Sequence, residues 1–335
     1  MMDWTDRHCR FFLRGFSPRV LLYTEMITTQ AILRGKRERL LAFDVEEHPV
    51  ALQLGGSDPS DLAEAAAAGE AAGYDEVNLN CGCPSDRVSA GAFGACLMNE
   101  PALVAECVAA MVRAVAIPVT VKMRIGTVTG QRSEARQASA EFSDADYSRL
   151  GSFVRGIAAA GAHVAIVHAR KAVLGGLSPK DNREIPALRF DVVARLKRDF
   201  AACPIVLNGG LRTVADSVNA LKWCDGVMLG REAYHRPHVL AELDRAVHGA
   251  SVAPAVSRRE MAERMTRYAA REMRNGERLS AIVRHMLGLY SHTPGAREFR
   301  RTLSEGARAA DARPELIEQA ADRAERAAGE LALAS

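Results

Sequence analysis

The chain has 335 residues, 48% of them apolar, with 44 basic and 41 acidic side chains giving a formal net charge of +3. That composition supports one large α/β domain plus a smaller one. With no run of about 18 apolar residues and no charged-then-apolar leader, nothing suggests membrane insertion or export, and a cytoplasmic protein is the expectation. Seven scattered cysteines, an odd number, fit a reducing compartment better than a disulfide framework.

In chain order, the spacing predicts a helix over residues 7–14 that gathers His8, Phe11 and Phe12. Seven β-prone apolar runs follow, each ending in polar residues or glycine: 20–25, 50–56, 78–83, 118–124, 164–170, 204–210 and 226–231. Helix-length Ala/Leu/Glu/Arg segments at 59–72, 101–115, 148–160, 190–200 and 214–223 separate most of them. Alternation of this kind predicts a parallel sheet wrapped by helices. Seven units, with no full strand ahead of the first helix, predict an α/β fold of the (β/α)8 (TIM) barrel type over residues 1–250, its first strand truncated. Past residue 250 the strand pattern stops. Met261, Met265, Tyr268, Ala269, Glu272 and Met273 have helical spacing, and Ile282, Met286, Leu289 and Tyr290 repeat it, so 251–335 is expected to be a separate all-helical domain. Its last 25 residues are expected to form a helix with a frayed end.

Polar residues collect at the ends of the predicted strands: Gln53, Asn78, Asn80, Lys122, Arg124, His168, Arg170, Asn208 and Arg231. In a barrel these share one rim, where the active site lies. Asn208-Gly209-Gly210 and Gly230-Arg231 offer bare backbone N–H groups and a guanidinium, which suits a cofactor phosphate. No G-x-G-x-x-G follows a strand, so a Rossmann-type dinucleotide site is not expected. The segments 125–147 and 171–186 are longer than simple connections, and the second carries Lys171, Lys180 and Arg183, as expected of a loop over an anionic substrate. Residues 251–310 hold 12 arginines, no lysine and 6 acids. Such an excess is either a solvated helix face or a surface for nucleic-acid phosphates.

Cys83 is the candidate reactive group, within Asn78-Leu79-Asn80-Cys81-Gly82-Cys83-Pro84. A cysteine at a strand end is most often a small buried hydrophobe. Here Gly82 lets the backbone approach a ligand and Pro84 stiffens the exit, which suits a thiol held above a flat partner. Zinc is disfavoured: Cys81 and Cys83 are one residue apart, and no second Cys or His pair completes a tetrahedral site.

Assembled, these stretches resemble the tRNA-dihydrouridine synthase family, specifically its bacterial A subgroup. The resemblance is carried by Met2-Asp3-Trp4-Thr5-Asp6-Arg7-His8-Cys9-Arg10, Leu22-Tyr23-Thr24-Glu25-Met26, Ala51-Leu52-Gln53-Leu54-Gly55-Gly56, Asn80-Cys81-Gly82-Cys83-Pro84-Ser85-Asp86-Arg87-Val88, Val167-His168-Ala169-Arg170-Lys171, Asn208-Gly209-Gly210 and Gly230-Arg231. It implies an FMN-bearing barrel and a helical tRNA-binding domain, reducing D-loop uridine at positions 20 and 20a with NADPH. By position, Met1, Gln53, Lys122, His168, Asn208, Gly209, Gly210, Gly230 and Arg231 match FMN contacts, and Cys83 matches the catalytic cysteine. The implied chemistry sends a hydride from reduced flavin to C6 of the uracil and a proton from Cys83 to C5; an ordinary thiol, with a pKa near about 8.5, is mostly protonated at neutral pH. Asn80 is then expected at the uracil edge, and Arg170, Lys171, Lys180, Arg183, Arg297 and Arg300 on the tRNA. A monomer without metal or membrane partner is expected.

Two features depart from the family pattern. Cys81 stands where an apolar residue is usual. The first strand and its Ala-Pro-Met turn are represented only by Met1 with Met2 beside it, so the expectation is a true start further upstream. Two rival readings stand beside the synthase: a flavin barrel acting on a free pyrimidine, and a non-catalytic tRNA-binding factor.

Overall fold

The computed structural model describes residues 2, 4–85, 88, 91–129, 137, 139–175, 177–249 and 256–334. Two compact units divide the chain. The first holds Tyr23–Phe43 and His48–Gly230; the second holds Met2–Leu22, Asp44–Glu47 and Arg231–Ser335.

Each of the seven expected runs forms a strand of one sheet: β1 (Leu22–Thr28), β2 (Val50–Gly55), β3 (Glu76–Cys81), β4 (Val119–Arg124), β6 (Val164–His168), β8 (Ile205–Asn208) and β9 (Gly226–Met228). The sheet runs β1-β2-β3-β4-β6-β8-β9, and every neighbouring pair from β2 to β9 is parallel. Helices Pro59–Ala71, Pro101–Ala114, Asp144–Ala159, Phe190–Asp199 and Val214–Leu221 separate the strands from β2 onward. This is the strand order of a (β/α)8 barrel, with seven of its strands among the described residues. Two short strands, β5 (Thr127–Thr129) and β7 (Ala172–Leu174), form a separate parallel pair.

The strands alternate in chemistry. Val77, Leu79 and Cys81, Val119, Val121 and Met123, Ala165 and Val167, and Ile205 and Leu207 belong to one hydrophobic core with the helical residues Leu62, Val104, Met111, Phe153, Ile157 and Leu196. Side chains of period two must face the other way, which puts Glu76, Asn78, Asn80, Thr120, Lys122, Arg124, His168 and Asn208 on the opposite face of the sheet. Cys81 is therefore no second reactive thiol beside Cys83. It is fully buried on the helix side, and desolvation raises its pKa far above the ordinary thiol value.

Local signals set the helix ends. Asp58 caps Pro59–Ala71, with proline at its first turn. The expected helix at 148–160 instead begins at Asp144, because Ser143 and Asp146 form a reciprocal capping box that recruits an extra turn.

The second unit is not the single stretch 251–335: it takes in Met2–Leu22 with helix Arg7–Arg14, adds Asp44–Glu47, and resumes at Arg231. Long-range pairs explain why. Phe11 stacks on Tyr268 at 3.9 Å between centroids, His8 Nδ1 lies 2.7 Å from the Tyr268 hydroxyl, and His285 Nε2 lies 2.9 Å from Asp6. Helix Arg258–Arg274 buries Met261, Met265, Tyr268, Ala269 and Glu272, as its spacing predicts. The apolar run after it is helical only over Leu279–Val283 and continues as turns, although Met286, Leu289 and Tyr290 are buried. Leu316–Ala334 forms the expected terminal helix.

Glu47 is fully buried in this unit and accepts from Arg10 Nε at 2.6 Å and from the Asp44 amide at 2.8 Å. Burial raises its pKa, and Arg10 opposes that rise. Arg10→Met strands the carboxylate, and chemical denaturation at neutral pH is expected to show a loss of about 3–5 kcal/mol. A carboxyl whose folded pKa lies above its unfolded value stabilises the fold as pH falls, so part of that loss is recovered on acidification toward about pH 5.

Candidate active site

The strand-to-loop transition after β3 is pinned on both backbone edges. Asn80 Oδ1 accepts from the Gly82 and Cys83 amides, both at 3.0 Å. Arg124 Nε donates to the Gly82 carbonyl at 3.2 Å, and the Ala95 amide donates to the Cys83 carbonyl at 2.9 Å. Cys83 is left half-buried, two residues past the end of β3, every residue of which is buried. The glycine that this geometry demands is Gly94, which sequence reasoning missed. It has φ +78°, and a Cβ there would fall 2.7 Å from the Cys83 carbonyl oxygen. At Gly82 a Cβ would meet the β4 backbone only at an ordinary 3.4 Å.

Behind this loop the polar face of the sheet is a chain of hydrogen bonds. Asn80 Nδ2 donates to Gln53 Oε1 at 2.8 Å, Gln53 Nε2 to Asn78 Oδ1 at 2.9 Å, and Asn78 Nδ2 to Thr120 Oγ1 at 2.8 Å. Thr120 donates in turn to Glu76 Oε1 at 2.5 Å, which also accepts from the Tyr23 hydroxyl at 2.7 Å. Burial raises the Glu76 pKa, and both hydroxyls oppose the rise. Asn78, expected at the rim, lies fully buried in this chain. Asn80 has its oxygen committed to two loop amides and one Nδ2 hydrogen to Gln53, so a base edge could take only its remaining Nδ2 hydrogen.

The next strands bring cations together. Register sets Lys122 abreast of Asn80, and His168 abreast of both Arg124 and Asn208. Burial, with the Arg124 charge adding and Cys83 opposing, brings the Lys122 ammonium down to about 8. Burial brings Arg124 down to about 9, with Cys83 opposing and Arg170 and Arg183 adding. Burial and these same cations hold His168 well below its ordinary pKa, so its imidazole is neutral at physiological pH. Asn208 Nδ2 donates to the Met228 carbonyl at 2.7 Å, which ties β8 to β9. Gly209 and Gly210 both have positive φ, +96° and +75°.

The loop after β6 is ordered by side chains that local pattern did not identify. Asn182, fully buried, accepts from the Val173 amide and donates to the Val173 and Leu177 carbonyls. Arg124 Nη1 reaches the Lys171 and Asn182 carbonyls, so one guanidinium joins this loop to the Cys83 loop. Lys171 differs from its expected place on the RNA surface: it is 3% exposed, with Nζ 3.0 Å from Asp146. The Asp146 carboxyl, despite burial, is held down to about 2 by the Ser143 amide, Lys171 and Arg149. Arg170 donates to the carbonyls of Glu184 and Pro186, Arg183 is half-buried and Lys180 is exposed. Arg231, Arg297 and Arg300 are exposed in the second unit. Met1, Gly176 and parts of the 125–147 segment lie outside the described residues.

Among the described residues no cluster of three His, Cys, Asp or Glu side chains could hold a metal ion, and no helix is long and apolar enough to cross a membrane. A parallel barrel with a pinned thiol and buried cations at the C-terminal ends of its strands defines an enzyme of the (β/α)8 class. The sequence profile described as dihydrouridine synthase (Dus) matches residues 1–325, and the chain belongs to that family. It is 51% identical over 323 residues to the tRNA-dihydrouridine(20/20a) synthase of Xanthomonas campestris pv. campestris, covering 96% of this chain and 91% of that protein. It is 53% identical over 321 residues to the protein of the same name from Pseudomonas syringae pv. tomato, covering 96% and 91%, and 50% identical over 321 residues to that from Vibrio cholerae, covering 96% and 93%. The resemblance to the A subgroup is borne out by these relatives.

A Cβ on Gly209 would fall 2.3 Å from His168 Cδ2, whereas one on Gly230 would meet nothing within 4 Å. Gly209→Ala is expected to lower stability by at least about 2 kcal/mol through left-handed strain and overpacking, while Gly230→Ala stays within about 0.5 kcal/mol. Urea denaturation of the pair checks both.

Proposed function

We propose that the chain reduces uridine to 5,6-dihydrouridine in tRNA, at D-loop positions 20 and 20a, with bound FMN as cofactor and NADPH as reductant. The observation that carries this reading is the Cys83 loop: a half-buried thiol with the amides and carbonyls of Gly82 and Cys83 fixed, one strand away from the half-buried Lys122 ammonium.

The residues present fit an anionic, phosphate-bearing cofactor. Arg124 is buried and Lys122 half-buried, and their charges repel each other, which an anion would offset. Gly209 and Gly210 present bare backbone beside the neutral His168 ring, and Gly230 adds open space. Lys122, His168, Asn208, Gly209, Gly210 and Gly230, with Arg231, are the residues we assign to hold it, and Gln53 contributes its remaining Nε2 hydrogen. Reduced FMN, when bound, supplies the hydride that C6 of the uracil accepts.

This chain's own groups do the rest. The Cys83 thiol gives its proton to C5 as general acid, and the pinned loop keeps the sulfur in place for that transfer. The Lys122 ammonium stabilises negative charge developing on the base, and His168 offers a neutral donor. A uridine inside folded tRNA must leave its stack to reach a barrel rim. For contacts to tRNA phosphates we assign the exposed Arg297 and Arg300 in the arginine-rich second unit and, separately, Lys180, Arg183 and Arg170 in the first. Lys171, ion-paired to Asp146, orders the loop that presents Lys180 and Arg183. A tRNA substrate keeps the protein in the cytoplasm, and a site built within one chain needs no second copy.

The test is a visible spectrum of the purified protein, to which NADPH and then unmodified tRNA are added. Yellow colour bleached by NADPH and restored by tRNA is expected. Cys83→Ala should keep the colour and the bleaching but slow restoration by about 100-fold or more, the usual contribution of a general acid. Protein that takes up no flavin, or restoration unaffected by Cys83→Ala, overturns the reading.

A further inference from the structure

We infer that Thr120, Asn78 and Glu76 are positioning residues that set which end of the Asn80 carboxamide faces the reactive loop; the inference rests on the reading of Cys83 given above.

Backbone N–H groups can only donate, so the Gly82 and Cys83 amides require an oxygen from Asn80. That choice turns the Asn80 Nδ2 group toward Gln53, whose own carboxamide must then present Oε1 to Asn80 and Nε2 to Asn78. Asn78 is forced in the same sense and gives Nδ2 to Thr120. A hydroxyl has a single hydrogen, so Thr120, accepting from Asn78, sends its own to Glu76. The carboxylate is the acceptor on which the chain ends. Every link is buried, where a reversed carboxamide would set donor against donor and leave two groups unsatisfied. The barrel interior and the loop therefore specify each other's orientation, from β4 across β3 and β2 and back to Cys83.

None of these three side chains reaches the thiol, so they act through Asn80 alone. Thr120→Val keeps the branched shape and removes the hydroxyl. Asn78 Nδ2 then has no acceptor there, and the share of the preference for Asn80 Oδ1 toward the loop that the buried chain adds to the two loop amides is lost. Tyr23→Phe is the control, because it removes a second donor to the same Glu76 oxygen without interrupting the chain.

The experiment measures amide hydrogen exchange at Gly82 and Cys83 in the full-length protein, together with kcat and KM for NADPH-driven reduction of tRNA. Thr120→Val is expected to speed exchange at these two amides by roughly tenfold or more and to lower kcat by a similar factor, with KM for tRNA within about twofold. Thr120→Ser should restore both, and Tyr23→Phe should leave exchange within about twofold of the parent. Should Thr120→Val not fold, Asn78→Ser cuts the chain one link nearer the loop and carries the same expectation. Unchanged exchange in the cut chain, or the same change in Tyr23→Phe, overturns the inference. If the parent protein reduces no tRNA uridine, the functional reading falls, and the exchange comparison still decides whether the chain orients the loop.

Discussion

The bond pair on which the rest depends is the one Asn80 makes with its own chain. A parallel strand that ends inside a barrel leaves backbone amides pointing into a space without neighbouring strands to receive them, and buried amides need an acceptor. One carboxamide oxygen, two residues before Gly82 and three before Cys83, takes both. The loop can then turn sharply with its thiol partly uncovered. Arg124 and the Ala95 amide close the other edge, and the absence of a side chain at Gly94 makes room for it.

Around that loop the electrostatics run against ordinary stability. Lys122, Arg124, Arg170 and Arg183 act on one another with like sign, and His168 is kept neutral by the same field. Gathering like charges away from water is unfavourable in itself, and the bonds that Arg124 and Arg170 make to loop carbonyls offset part of that cost. Under the proposed function, this charge is placed in advance where a cofactor phosphate or a developing enolate would need it. Two of those cations also hold the surrounding loop: Arg124 donates to the Lys171 and Asn182 carbonyls and Arg170 to those of Glu184 and Pro186, while Asn182 binds backbone and Lys171 is ion-paired to Asp146.

Local pattern was enough to identify the seven strands and to put Cys83, Lys122, His168 and Asn208 at strand ends, because apolar runs ending in polar residues survive in any one window of sequence. The features it missed each depend on partners far along the chain. Lys171 read as a surface cation because its partner, Asp146, lies 25 residues earlier on a helix whose start was itself misplaced. Residues 7–14 read as the opening of the barrel domain, yet His8 pairs with Tyr268 across 260 residues, and Asp6 with His285 across 279. Neither Glu76, between Asp75 and Val77, nor Thr120, between two valines, carries a local signal of its own. Their role appears only when parallel register sets β3 against β4.

The most direct measurement of the central claim is nucleoside mass spectrometry of unmodified tRNA incubated with the FMN-loaded protein and NADPH, with free uridine treated in parallel. The account predicts dihydrouridine in the D-loop of the tRNA and unaltered free uridine. Unaltered tRNA, or free uridine reduced as readily as tRNA, would contradict it.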